Sequence, residues 1–236
     1  MSQPVNALVT GASSGIGAEL VRQMLDHPNI GKVIAIGRRA DLLNAHKAHD
    51  PHSRLIALAF DICSSDRSPL IDALSQVGHL GLLVNNAGHL LNLPFSQISS
   101  DQLESVYRTN VFAPFHLIQE ALPWLLRSPS RAHVVNIGSI GGVQGSVKFP
   151  GLSAYSSSKG ALALLTECLA EEHRNAEISF NCLALGAVQT EMLQSAFPGF
   201  MAPVGPEAMA QHILHFGLFN AKLFNGKVLP VSISTP

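Results

Sequence analysis

The segment VTGASSGIG, residues 9–17, decides the fold. It closes an apolar run, NALVTG at 6–11, and opens a stretch with helical spacing, SGIGAELVRQMLDHP at 14–28. In that stretch Ile16, Leu20, Met24 and Leu25 recur on one side, and Pro28 follows the end. Gly11, Gly15 and Gly17 therefore lie between a strand and a helix. Lacking Cβ, glycine permits a tight turn and lets a phosphate approach the backbone. The helix start adds unpaired N–H groups and a positive dipole end. The spacing Gly-x-x-x-Gly-x-Gly is wider than the usual dinucleotide fingerprint. A packing turn with no ligand has the same composition, but the position directly after a first strand favours a nucleotide.

Outward from this turn, strand and helix patterns alternate almost to the end of the chain. Strands are expected at KVIAIGRR (32–39), SRLIALAFD (53–61), LGLLVNNAG (80–88), AHVVNIGS (132–139), ISFNCLALG (178–186) and GKVLPVSIS (226–234). Helices are expected at 40–50, 65–78, 101–128, from Tyr155 to His173, and at 206–219. The 101–128 stretch reads as one long amphipathic helix, bent or displaced by Pro114 and Pro123. The strands are near-continuous apolar runs, the mark of a parallel sheet covered on both faces. Right-handed crossovers make this a doubly wound, mostly parallel α/β sheet, with 1–236 as one domain. Irregular pieces at 140–153 and 190–205 each follow a strand's C-terminal end, the edge where such sheets bind ligands.

Composition narrows the function classes. The 236 residues are 47% hydrophobic and 13% charged, with a formal net charge of −1. That balance gives no electrostatic footprint for nucleic acid or an anionic membrane. No run reaches transmembrane length, and the fold begins too early for a signal peptide. Cys63, Cys168 and Cys182 are odd in number and widely spaced, which suits reduced thiols in a cytoplasmic protein and gives no metal-ligand spacing. The 11 histidines, His89 among them, are scattered.

The tip of the second strand, IGRRAD, places Gly37 where an NAD site usually carries an acid for the ribose hydroxyls. Arg38 and Arg39 follow. An acid would repel a 2′-phosphate, whereas arginine pairs with one through several hydrogen bonds, so NADP(H) is the expected cofactor.

TGASSGIG at 10–17, NNAG at 85–88, Asn110, Ser139 and YSSSK at 155–159 occur in order. Together they resemble the classical short-chain dehydrogenase/reductase family over essentially the full chain. The resemblance implies a Rossmann-type fold and an oxidoreductase that moves a hydride between NADP(H) and a carbonyl or secondary alcohol. It implies Tyr155 as acid/base, Lys159 as its partner and ribose ligand, Ser139 as the group orienting the substrate oxygen, and Asn110 as holder of a relay water. Along the cofactor it implies Ser13, Ser14 and Ile16 at the phosphates, Arg38 near the adenosine end, and Asp61 and Ile62 flanking the adenine. Asn86, Ala87 and Gly88 would line the adenosine side, and Val188 and Thr190 would touch the nicotinamide end. Three departures stand out. Leu185 replaces the usual proline before Gly186, the chain ends VSISTP instead of in paired glycines, and the stretch between Thr190 and Pro206 is short.

The chemistry suits these groups. Hydride addition to a carbonyl leaves an alkoxide that needs a proton. A free tyrosine has a pKa of about 10, and a nearby ammonium four residues on would favour its phenolate. Ser139 could polarise the carbonyl, although a loop serine would look alike; Asn110 could equally brace the long helix. A catalytically silent NADP(H)-binding regulatory protein is the alternative, and the intact Asn110, Ser139, Tyr155 and Lys159 favour the enzyme. Leu90, Leu91, Phe95, Val143, Phe149, Met192, Phe197, Phe200 and Met201 point to an apolar or aromatic substrate, with a short lid at about 191–204. Apolar excess on the 103–127 and 156–173 helices suggests a homodimer or homotetramer.

Overall fold

Seven strands take up the apolar runs, and every neighbouring pair is parallel. The computed structural model describes residues 3–233. In chain order the elements are β1 (Val5–Thr10), α1 (Gly15–Asp26), β2 (Ile30–Gly37), α2 (Ala40–Ala45), β3 (Leu55–Ala59), α3 (Ser68–Val77) and β4 (Leu82–Asn85). Then come α4 (Ser100–Tyr107), α5 (Ala113–Leu125), β5 (Ala132–Ser139), α6 (Ser153–Glu172), β6 (Ile178–Leu185), α7 (Glu191–Ala196), α8 (Pro206–Phe219) and β7 (Lys227–Val231). The sheet order is β3-β2-β1-β4-β5-β6-β7. The order reverses between β1 and β4, so the crevice at their C-terminal ends is the topological switch point where such sheets bind ligands.

Two cores explain why the strands read as unbroken apolar runs. On one face Leu20, Val21 and Met24 of α1 pack with Ile213 and Phe216 of α8 over Ala7, Val9 and Val84. On the other, Leu70 and Leu74 of α3 and Leu117, Ile118 and Ala121 of α5 pack over Leu8, Ile34 and Val134. Alternate residues of each strand enter opposite cores, so a strand flanked by both has no polar face. Most buried polar side chains are paired, although Asn85 Oδ1 has no hydrogen-bond partner among the described residues. The His133 ring lies 3.0 Å from the Gly217 carbonyl and 2.9 Å from Asn181 Nδ2. Burial pushes this imidazole down to about 4, so it is neutral, donating from Nδ1 and accepting at Nε2.

The expected long helix is instead two α-helices joined by a π segment, Arg108–Phe112, in which the Ala113 N–H donates to the Arg108 carbonyl. Pro114 has no N–H to give the Asn110 carbonyl four residues back, so the α ladder breaks there and one extra residue is accommodated. Pro123 sits inside α5 near its C-terminal end. The expected last strand is shorter than read, and its final expected residue, Ser234, lies with 235 and 236 outside the described residues. Among the described residues no helix is long and apolar enough to cross a membrane, and no group of three His, Cys, Asp or Glu could hold a metal ion.

Candidate active site

The glycine turn forms as its spacing requires. Gly11 and Gly15 have φ of +69° and +54°, values that favour glycine. At Gly17 a Cβ would fall 2.2 Å from the Gly11 carbonyl oxygen, so the helix could not start so close to the turn with any side chain there. Asn86, just past β4, ties the turn down: its side chain donates to the Thr10 carbonyl at 2.9 Å, and Thr10 Oγ1 accepts from the Asn86 and Ala87 amides. Ser14 is the N-cap of α1, yet its side chain makes no capping hydrogen bond. The first-turn amides are thus left for a ligand. This cradle, too tight for a side chain at Gly17, fits a pyrophosphate.

The cleft above it has a volume of about 960 Å³. Nearly all the expected site residues line it: Gly11, Ser13, Ser14, Gly15 and Ile16 from the turn, Arg38 and Arg39 from the β2 tip, Asp61 and Ile62, Asn86 to Gly88, Ser139, Tyr155, Lys159, Val188 and Thr190. Gly17 and Asn110 do not reach it; each stands behind the wall. At the β2 tip a Cβ on Gly37 would lie 3.1 Å from Ser13 Oγ, so an acid there would have to displace Ser13. Arg38 is exposed, and among the described residues its guanidinium has no hydrogen-bond or ion-pair partner. Arg39 differs: it is paired with Glu191.

Tyr155 and Lys159 occupy the first turns of α6, one helical turn apart. The Lys159 Nζ stands 5.8 Å from the Tyr155 ring centroid and donates to the Ile137 carbonyl at 2.7 Å. Ser139, the last residue of β5, lies close enough to the Tyr155 hydroxyl to influence its ionisation, and it accepts from the Gly141 amide at 3.3 Å. Burial pushes the Tyr155 phenol up to about 12, with Ser139 pulling the other way. The ammonium is turned to a carbonyl, and burial pushes Lys159 itself down to about 8. Tyr155 is therefore a protonated acid at neutral pH.

Asn110 resolves into the bracing role. Its side chain is fully buried; Oδ1 accepts from the His89 amide at 2.7 Å, and Nδ2 donates to the His89 carbonyl and to Ser158 Oγ, each at 2.9 Å. Ser158 in turn donates to the Tyr155 carbonyl at 2.7 Å. Asn110 thus fixes the loop after β4 against the start of α6. Thr190 caps α7, with Oγ1 accepting from the Leu193 amide.

Of the expected substrate contacts, Leu90, Phe149, Met192, Phe197 and Phe200 line the cleft, whereas Leu91, Phe95, Val143 and Met201 do not. Phe95 and Met201 point to solvent, at 82% and 77% exposure. Neither Phe197 nor Phe200 belongs to a core, so both are free to meet a ligand. Phe60, Cys63, His89, Ser105 and Thr109 also line the cleft, and the sequence reading did not name them as such. The 191–204 segment is tied at both ends: the Gln189 amide donates to the Val204 carbonyl at 2.9 Å, and Asn92 Nδ2 donates to the Ala196 carbonyl at 2.8 Å.

Comparison with known proteins places this geometry. The family model described as short chain dehydrogenase matches residues 5–199. The chain is 30% identical over 199 residues to an acetoacetyl-CoA reductase of Acinetobacter sp. (strain RA3849), covering 82% of this chain and 78% of that protein. It superposes with a TM-score of 0.83 on a short chain dehydrogenase of Shigella flexneri 2a strain 301 complexed with NADP, at 26% identity and with 97% of each chain covered. It also matches, at a TM-score of 0.86 and 22% identity, a 3-ketoacyl-(acyl-carrier-protein) reductase of Brucella melitensis complexed with NADH. That match covers 98% of this chain and 97% of the other.

Proposed function

Because the chain belongs to the short-chain dehydrogenase family, we propose that it is an NADP(H)-dependent reductase of apolar or aromatic carbonyl compounds, working in reverse on the corresponding secondary alcohols. Family membership itself makes it an oxidoreductase that uses a nicotinamide cofactor on carbonyl or alcohol substrates. The observation that carries the finer reading is the unpartnered Arg38 guanidinium beside a Gly37 that supplies no acid. The apolar wall of Leu90, Phe149, Met192, Phe197 and Phe200 supports the substrate class.

When bound, the nicotinamide supplies or takes up the hydride. The uncapped start of α1 and the Ser13 and Ser14 backbone would hold the pyrophosphate, and Arg38 the 2′-phosphate. In reduction Ser139 donates a hydrogen bond to the carbonyl oxygen, and Tyr155 gives it a proton as negative charge develops. Lys159 stabilises the resulting phenolate and passes it a proton drawn from solvent, which restores the acid. In that inward path Asn110 acts through its main chain, because its side-chain atoms are already engaged.

Fluorescence titration with each reduced cofactor tests the preference. Arg38→Asp is expected to weaken NADPH by about 10–100-fold, the worth of a lost charged hydrogen bond, and to reverse the preference. Equal or tighter NADH binding by the wild-type chain would refute it.

The chain is further read as a homodimer or homotetramer. Supporting this, Phe112 and Phe115 on the α4–α5 side are 49% and 45% exposed, and Leu164 on α6 is 61% exposed. Phe112 and Phe115 are residues whose apolar spacing suggests such a contact; of the others with that spacing, Leu162 is buried in the protomer, and Leu122 and Leu169 pack on the α3–α5 core. Light scattering at micromolar concentration should give a dimer or tetramer mass, and a monomer mass would count against the reading.

A further inference from the structure

The two arginines at the β2 tip are adjacent in sequence but are engaged differently. Both Nη atoms of Arg39 lie 3.3 Å from Glu191 Oε2, and Nη2 is 3.4 Å from the Ser13 carbonyl. Glu191 is the first residue of α7, so the pair spans from the adenosine end of the cleft to the segment over its nicotinamide end. Its carboxylate is held there by local structure. Thr190 caps the helix, and the Thr190 methyl is 3.2 Å from where a Cβ on Gly15 would stand. An anionic side chain at a helix start is also favoured by the dipole. Both partners are largely exposed, at 45% and 70%, so the pair adds little to the stability of the fold. Its consequence lies in the cleft, where a carboxylate occupies one of the two arginines that line it at the β2 tip.

We propose that Glu191 is a positioning residue that sets cofactor selectivity through Arg39: it holds that guanidinium in an ion pair, so discrimination for a 2′-phosphate rests on Arg38 alone. The inference rests on the NADP(H) reading above. The carboxylate and the carbonyl take three of the five guanidinium N–H groups, and the carboxylate's charge offsets the cation's pull on a phosphate. A phosphate therefore gains the full charge of Arg39 only by displacing Glu191. A cofactor without the 2′-phosphate has no use for Arg39 and leaves the pair alone.

Fluorescence titration of the full chain with NADPH and NADH, at fixed ionic strength, reads this without turnover. Glu191→Gln is expected to tighten NADPH by about three- to fivefold, the range of an exposed ion pair, and to leave NADH within about twofold. Glu191→Asp, which keeps the charge, should fall between wild type and Gln. In an Arg39→Gln background the gain from Glu191→Gln should vanish, because no guanidinium remains to be freed. A wild-type chain that prefers NADPH, with a Glu191→Gln variant whose NADPH-to-NADH ratio is unchanged, would overturn the inference and leave the cofactor reading standing. A gain that persists without Arg39, or a loss of NADPH affinity in Glu191→Gln, would overturn it as well. A wild-type chain that binds NADH as tightly as NADPH fails at the cofactor reading, before any variant is made, and takes this inference with it.

Discussion

Tyr155→Phe is expected to lower kcat by about 10²–10⁴-fold, the usual worth of a positioned proton donor, while NADPH affinity stays within about twofold. The ring keeps its place on α6, and only the hydroxyl beside Ser139 is lost. The pH dependence separates the two directions. Reduction needs the protonated phenol, and with Tyr155 pushed up to about 12 that form persists across the working range. The limb that reduction shows therefore belongs to Lys159: its rate should fall as pH rises through about 8, where the ammonium is lost. Oxidation needs the phenolate, so its rate should climb with pH. Steady-state rates in both directions, from pH 6 to 10, check this. A phenylalanine variant with wild-type kcat would remove Tyr155 from the mechanism.

Lys159→Ala is expected to cost about 10²-fold or more in kcat and to weaken the cofactor too, since the ammonium serves both the phenolate and the ribose. Stability should move differently. The ammonium is 3% exposed and has one hydrogen bond, to the Ile137 carbonyl, so holding it charged is costly. Lys159→Met, which keeps the apolar stem, should therefore melt at the wild-type temperature or higher while remaining inactive. Linkage gives the same sign. The folded-state pKa of about 8 is below the unfolded value near 10.4, so between these values the unfolded chain binds more protons. The Lys159 contribution to wild-type stability should rise with pH across that window, and the methionine variant should lack the rise. Thermal melts between pH 7 and 10 with paired kinetics would decide it. A methionine variant that melts far below wild type and keeps its activity would reverse both assignments.

The strand–helix alternation was legible because burial on both faces removes polar residues from the strands, and the runs in the sequence record that directly. Tyr155 and Lys159 were legible because a helix turns spacing in sequence into spacing in space. The π segment was not, since one extra residue changes hydrogen-bond partners without changing the apolar stripe. Its local signal was Pro114, which withholds a donor from Asn110. The role of the Asn110 side chain could not be read either, because its partners lie on the loop after β4 and on α6. Glu191 was hidden for the same reason: 152 residues separate it from Arg39. Adjacent arginines look equivalent in a sequence, and only the packed chain shows that one is taken.

The reversal of strand order at β1 and β4 carries a consequence for how the enzyme comes into being. Val9 aligns with Ala35 on one side and with Val84 on the other. The second pairing closes a chain segment roughly three times longer, at about 1 kcal/mol more in lost entropy. No hairpin eases any step, because parallel neighbours each need a crossover. The crevice that is to hold the cofactor thus depends on the pairing that a searching chain finds least readily. Helices and the β1–β2 unit can form while that crevice is still open to water. A newly made chain can therefore show much of its secondary structure before it can bind a nucleotide at all, and until then apolar strand faces remain available to other chains.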